Sequence, residues 1–235
     1  MALPMVYRPS DKMAVDTNPA AFIDHTQLRP DATANEVAEL CEGAVEWGFA
    51  SVCVPPRFVM QAAKILYGSA VKTGTVVGFP LGYDTAWVKA RQADQAVQSG
   101  AEEIDMVIPL GAARSGAYDE VAADVRAVVD RTGGRIVKVI LECCLFDALT
   151  LQRLVDAAVA GGAHFVKTST GFGRRGASRE DVRLLKDAAA GRVMVKAAGG
   201  IRDWRDCRAL IEAGADRIGT SAGVTIMQQW SEHAD

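Results

Sequence analysis

The chain has 235 residues, 49% of them hydrophobic, enough to bury the core of one large α/β domain or of two small ones. Its net charge of −3 leaves no electrostatic footprint for nucleic acid, and its densest basic spots, Arg174-Arg175 and Arg202/Arg205/Arg208, are small, so a small-molecule partner is favoured. Five cysteines (Cys41, Cys53, Cys143, Cys144, Cys207) are odd in number and lack C-x-x-C spacing, the pattern of a reduced cytoplasmic protein.

Residues 1–19 are broken by three prolines and by charges, so they supply neither a signal-peptide apolar region nor a membrane span and are expected to form a flexible leader. Residues 20–235 are expected to form one domain. Short runs rich in Val, Ile and Phe predict strands at 22–25, 50–54, 73–79, 103–108, 136–142, 164–168, 193–197 and 217–219. Each is followed by a segment of helical period, as in Leu151, Leu154, Val155 and Ala158.

Four helix-to-strand joints share one form: "WGFASVC" (47–53), "SGAEEID" (99–105), "GGAHFVK" (161–167) and "AGADRIG" (213–219). Each glycine suits the left-handed position that ends a helix. Five residues after it stand Cys53, Asp105, Lys167 and Gly219, on the second, fourth, sixth and eighth strands. Eight strand-helix units predict a single-domain (β/α)8 TIM barrel, in which side chains from alternate strands share a layer. The equal offsets put these four in one layer near the C-terminal mouth, and the odd strands offer Asp24, Lys138 and Lys196. An open doubly wound sheet is the rival architecture.

The stretch "VKTSTGFGRRG" (166–176) contains G-x-G-x-x-G, but a dinucleotide site needs an acidic residue at the end of the next strand, where "RVMVK" has Lys196. Lys167 and Lys196 both close apolar strands, and lysine is seldom buried without a reason. An amine that attacks a carbonyl needs its pKa lowered from ~10.4 toward ~7, at a cost of about 4–5 kcal/mol. A second ammonium at ~4 Å in an effective dielectric of ~20 supplies about 4 kcal/mol, and burial adds to it. Asp105 is the candidate proton shuttle. Asp24 is expected to bind a substrate hydroxyl or to orient a lysine, with a cap or local turn as the alternative. The offset brings Cys53 within reach of an electrophilic aldehyde, unless it is simply a small buried hydrophobe.

Three glycine-bearing loops follow the last three strands: "TSTGFG" (168–173), "AAGGI" (197–201) and "GTSAG" (219–223). Their backbone N–H groups can approach an anion, with Thr168, Thr170, Gly171, Gly199, Gly200, Gly219, Thr220 and Ser221 as binding candidates and Ser221 as a cap for the final helix. Gly173 and Gly176 are expected to be loop residues whose spacing is accidental. His25, His164 and His233 have no metal-ligand spacing.

The segments "IDHTQLRPDAT", "SVCVPPRFV", "VVGFPLG", "AEEIDMVI", "VKVILE", "FVKTSTGF", "KAAGGIR" and "DRIGTSAGV" run in this order from residue 23 to 224. Together they closely resemble the deoxyribose-phosphate aldolase family of class I aldolases. The resemblance implies reversible cleavage of 2-deoxy-D-ribose 5-phosphate to D-glyceraldehyde 3-phosphate and acetaldehyde, with no metal and no organic cofactor. It also implies a Schiff base on Lys167, with Lys196 lowering its pKa and joining a proton relay with Asp105. Sugar-phosphate and aldehyde partners follow, with no nucleic acid and no membrane, and a homodimer is an open option. Departures from the family pattern are Arg29 where lysine is frequent, Cys143 where threonine is common, His164 where an acid is usual, and a C-terminal stretch, "QQWSEHAD", without tyrosine. The competing functions are a phosphate-binding isomerase or synthase barrel using Asp105 as base and no Schiff base, and a sugar-phosphate sensor.

Overall fold

Eight parallel strands hydrogen-bond in sequence order and close into a barrel, β8 pairing back onto β1. The structure is a computed structural model that describes residues 18–234; the expected leader, up to residue 17, lies outside the described residues. The strands are β1 (Ile23–Thr26), β2 (Ser51–Val54), β3 (Lys72–Val77), β4 (Glu103–Val107), β5 (Ile136–Ile140), β6 (Phe165–Lys167), β7 (Met194–Ala198) and β8 (Arg217–Thr220). All eight expected strands are present, with ends displaced by two residues or fewer. The doubly wound alternative is excluded by the β1–β8 pairing.

The outer layer consists of α1 (Ala34–Trp47), α2 (Val59–Ile65), α3 (Ala86–Gln98), α4 (Leu110–Arg114), α5 (Tyr118–Val129), α6 (Ala148–Gly161), α7 (Arg179–Ala189), α8 (Trp204–Glu212) and α9 (Gly223–Ala234). The β4 unit carries two helices where one was expected. Side chains written into the sequence start several of them. Thr33 and Glu36 form a reciprocal capping box on α1, and Asp147, Ser178 and Asp203 accept from the third backbone N–H of α6, α7 and α8.

The period of two along each strand separates two kinds of interior. Ile104 and Met106, Val137 and Val139, Val166, Val195 and Ile218 join the apolar core between barrel and helices. The intervening residues, among them Glu103, Asp105, Lys138, Lys167 and Lys196, point into the barrel and are all 3% exposed or less. The barrel interior is therefore a packed set of charges. The joint glycines place them: Gly48, Gly100, Gly162 and Gly214 have φ of 69°, 103°, 90° and 110°, which reverses the chain at the same distance before β2, β4, β6 and β8.

Candidate active site

Asp105, inward on β4, is the centre of the cluster. Its Oδ2 accepts from Lys167 Nζ at 2.8 Å and from Lys196 Nζ at 2.7 Å, while Oδ1 accepts from Lys138 Nζ at 3.1 Å. Register puts Lys167 beside Lys196 across β6–β7 and Asp105 beside Lys138 across β4–β5. Burial alone would raise the Asp105 pKa, but the ammoniums of Lys138, Lys167 and Lys196 outweigh it and hold the carboxyl far below the carboxylate range.

The two strand-end lysines differ in environment. Burial pushes the Lys167 pKa down and the Lys196 charge adds to that, against the opposing pull of Asp105. Burial acts on Lys196 too, yet Asp105 and Asp24 both pull on it and leave its pKa raised. The expected effect of one lysine on the other is present, but desolvation is the larger cause. Lys167 also lines the mouth cavity, whereas Lys196 is fully buried.

Asp24 sits beneath them, with Oδ2 at 2.6 Å from Lys196 Nζ and 3.2 Å from Lys138 Nζ, close as ion pairs but off hydrogen-bond directions. Its Oδ1 accepts from Ser51 Oγ at 2.7 Å and from both Nε and Nη2 of Arg217. It faces the lysines and not the cavity. Lys138 also donates to Glu103 Oε2 at 2.5 Å, and Arg217 reaches Glu103 through Nη1 at 3.3 Å and Nη2 at 3.0 Å. Neither Glu103 nor Arg217 was a sequence candidate. Both stand at the first position of a strand, where a charge looks like a solvated edge. Cys53 is buried in the layer above, and its thiol is pushed up to about 11 by burial and by the Asp105 charge. It is a weak nucleophile there.

At the mouth, a cavity of about 510 Å³ is lined by Lys167 and by all the loop candidates except Thr168: Thr170, Gly171, Gly199, Gly200, Gly219, Thr220 and Ser221. Thr168 is fully buried and serves the scaffold, its hydroxyl donating to the Ala198 carbonyl and accepting from the Ala198 N–H. The turn into α9 is made by Thr220, whose Oγ1 accepts from Ala222 N at 2.9 Å and donates to Ile201 O at 2.7 Å. Arg29 and Arg202 also line the cavity and bring positive charge to it. As long side chains on irregular loops they left no periodic signal in the sequence.

The G-x-G-x-x-G spacing is not accidental. A Cβ on Gly176 would lie 1.9 Å from the Gly199 carbonyl oxygen, and one on Gly173 would lie 2.8 Å from Glu142 Oε1. Gly176 lets the loop after β6 lie directly on the loop after β7, where Ala177 N donates to the carbonyls of Ala198 and Gly199 at 3.1 Å each, and Gly173 lets it lie against Glu142 of the segment after β5. Glu142 clamps the same loop by accepting from both the N–H and the hydroxyl of Thr170. Phe172 stands edge-on to Phe79, with ring centroids 5.5 Å apart.

A lysine with a lowered pKa, hydrogen-bonded to a carboxylate and open to a cavity with backbone donors, is equipped for covalent carbonyl chemistry beside an anion site. Comparison with known proteins agrees with this geometry. Residues 20–229 match the model of the family described as DeoC/LacD family aldolase. A deoxyribose-phosphate aldolase of Syntrophotalea carbinolica is 56% identical over 215 residues, covering 92% of this chain and 97% of that protein. One from Thermus thermophilus is 50% identical over 208 residues, covering 88% and 94%. Among solved structures, a tetrameric deoxyribose phosphate aldolase from Aeropyrum pernix superposes with a TM-score of 0.85 at 36% identity, covering 91% of each chain. The chain belongs to the DeoC/LacD aldolase family.

Proposed function

We propose that the chain is a class I aldolase that reversibly cleaves 2-deoxy-D-ribose 5-phosphate to D-glyceraldehyde 3-phosphate and acetaldehyde. The single observation that carries the reading is Lys167: the cavity-facing amine has a pKa lowered chiefly by burial and a hydrogen-bonded acid, Asp105, at 2.8 Å. The free amine attacks the C1 aldehyde of the open-chain sugar. Asp105, fed by the Lys196 ammonium, passes the proton that lets water leave and the iminium form. Loss of the C3 hydroxyl proton then breaks the C2–C3 bond, with its electrons moving into the iminium as an enamine and the C3 aldehyde leaving as glyceraldehyde 3-phosphate. Protonation of the enamine at C2 and hydrolysis return acetaldehyde and free Lys167.

The substrate phosphate is assigned to the backbone donors of Gly171, Gly199, Gly200 and Ser221, with Arg202 as the nearby charge. Asp24 and Lys138 are assigned the task of holding Lys196 and Asp105 in place. The relatives named as aldolases favour this reading over an isomerase or synthase on the same barrel. A cytoplasmic location is supported by five unbonded cysteines, and among the described residues no helix is long and apolar enough to cross a membrane. A homodimer belongs to the same proposal, supported by the exposed side chains of Tyr83 and Trp87; sedimentation as a monomer alone at micromolar concentration would remove it.

Borohydride reduction with acetaldehyde should add a two-carbon unit to Lys167, read by peptide mass spectrometry. Labelling of another residue, or none in active protein, would overturn the assignment. Lys167→Arg should abolish turnover; an isomerase using Asp105 as base would keep it. Assay of 2-deoxyribose beside its 5-phosphate tests the anion site.

A further inference from the structure

Four cationic groups, Lys138, Lys167, Lys196 and Arg217, face three carboxylates, Asp24, Glu103 and Asp105, inside the barrel. All are buried except the Arg217 side chain, which is 12% exposed. With all seven groups ionised, the cluster carries one surplus positive charge, and loss of one proton from Lys167 balances it. Lys167 touches one carboxylate of the cluster, Asp105, which it shares with Lys138 and Lys196. The other two carboxylates are engaged by the Arg217 guanidinium, which forks from β8 onto Asp24 of β1 and Glu103 of β4, its Cζ 6.0 Å from the centre of the Phe165 ring of β6.

We propose that Arg217 is a positioning residue of this site: from the floor of the barrel it neutralises Asp24 and Glu103, and the surplus charge this leaves in the cluster selects the free-amine form of Lys167. The proposal rests on the reading of Lys167 as the nucleophile. The titratable groups around that amine are Asp24 on β1, Cys53 on β2, Glu103 and Asp105 on β4, Lys138 on β5, Lys196 on β7 and Arg217 on β8; β3 turns the uncharged Gly74 and Val76 inward, and Arg29 and Arg202 of the mouth loops line the same cavity as Lys167. Without Arg217, three cations would face three carboxylates and a charged Lys167 would be balanced. Without the Glu103 charge, the surplus would double. The two changes therefore act on the amine in opposite directions, which simple loss of packing cannot do.

The test is the pH dependence of Schiff-base trapping at Lys167, read by borohydride reduction with acetaldehyde and mass spectrometry in the full-length chain. Across an interior of effective dielectric ~20, Arg217→Gln should raise the midpoint for the free amine by roughly one pH unit and Glu103→Gln should lower it by a similar amount. Arg217→Lys keeps the charge but cannot fork onto both carboxylates, so it should restore the native midpoint even where the rate falls. Midpoints unmoved in Arg217→Gln and Glu103→Gln, or moved in one direction in both, would overturn the inference. If Arg217→Gln does not fold, a Glu103→Gln midpoint that is unchanged or higher overturns it, and a lower one with a native midpoint in Arg217→Lys supports it. Absence of a Lys167 adduct in the unmodified protein overturns the aldolase reading itself; an adduct there with unmoved midpoints in the variants overturns this inference alone.

Discussion

Gly219 stands against Lys196: a Cβ at position 219 would lie 3.0 Å from Lys196 Cε and 3.7 Å from its Nζ. The glycine thus gives the buried lysine room to reach Asp105 and Asp24 at the same time. Gly219→Ala should push Lys196 off that position, and kcat should fall at least ten-fold for a stability loss of about 1–2 kcal/mol. Steady-state kinetics beside urea denaturation checks this; wild-type kcat would refute the packing argument.

Gly176→Ala places a methyl 1.9 Å from the Gly199 carbonyl oxygen, where only backbone movement can relieve the clash. The loops after β6 and β7 would separate, widening the anion site. We expect a higher KM for the phosphorylated substrate with a smaller change for the unphosphorylated sugar, and a loss of about 1–3 kcal/mol in stability. Equal effects on the two sugars would place the damage outside the anion loops.

Lys89 shows what a buried lysine does away from the cavity. Its Nζ donates to Asp124 Oδ2 at 2.8 Å and to the Val107 carbonyl at 2.9 Å, tying α3 to α5 and β4. Lys89→Met leaves Asp124 buried without its partner and should cost about 3–5 kcal/mol, while Lys89→Met with Asp124→Leu should recover part of that. Per folded molecule, the activity of Lys89→Met should remain near native. Urea titration and active-site trapping separate the two readouts, and a catalytic loss at native stability would contradict this division of roles.

His25 provides a pH signature. Burial lowers its pKa from 6.5 to about 4, against the opposing effect of the Thr220 carbonyl. The unfolded chain takes up the proton near pH 6.5 and the folded chain does not do so until about pH 4. The neutral imidazole therefore contributes fully above 6.5, and up to about 3 kcal/mol is lost as pH falls through that window. The lowered carboxylates Asp24 and Asp105 act only below their usual 3.8, so the two effects separate on the pH axis. Unfolding free energies between pH 7 and 4.5 should fall less steeply in His25→Gln; equal slopes would assign the loss elsewhere.

The barrel was legible because its signals are local and repeated: a glycine at four of the joints, and throughout a buried strand followed by a helical period. Lys167 and Lys196 stood out because charges close apolar runs, and Asp105 because it shares the offset of Lys167 from a joint glycine. The floor was not legible. Arg217 meets Asp24 across 193 positions and Glu103 across 114, and only closure of β8 onto β1 brings those strands together. Thr168 was misplaced because residues beside a reactive lysine alternate in direction, and the loop motif does not reveal which of them turns away from the cavity. Gly173 and Gly176 depend on an approach between two loops, a tertiary fact absent from either segment.

The fixed distance from Gly162 to Lys167 also dictates where this fold can change length. One residue inserted between them would shift β6 by a half-period and turn the amine out of the barrel into the apolar layer against the helices. The same insertion after Lys167 would only lengthen a loop. Each reactive strand is thus rigidly gauged on its incoming side and freely adjustable on its outgoing side, so substrate preference can drift through the mouth loops while the chemistry beneath keeps its register.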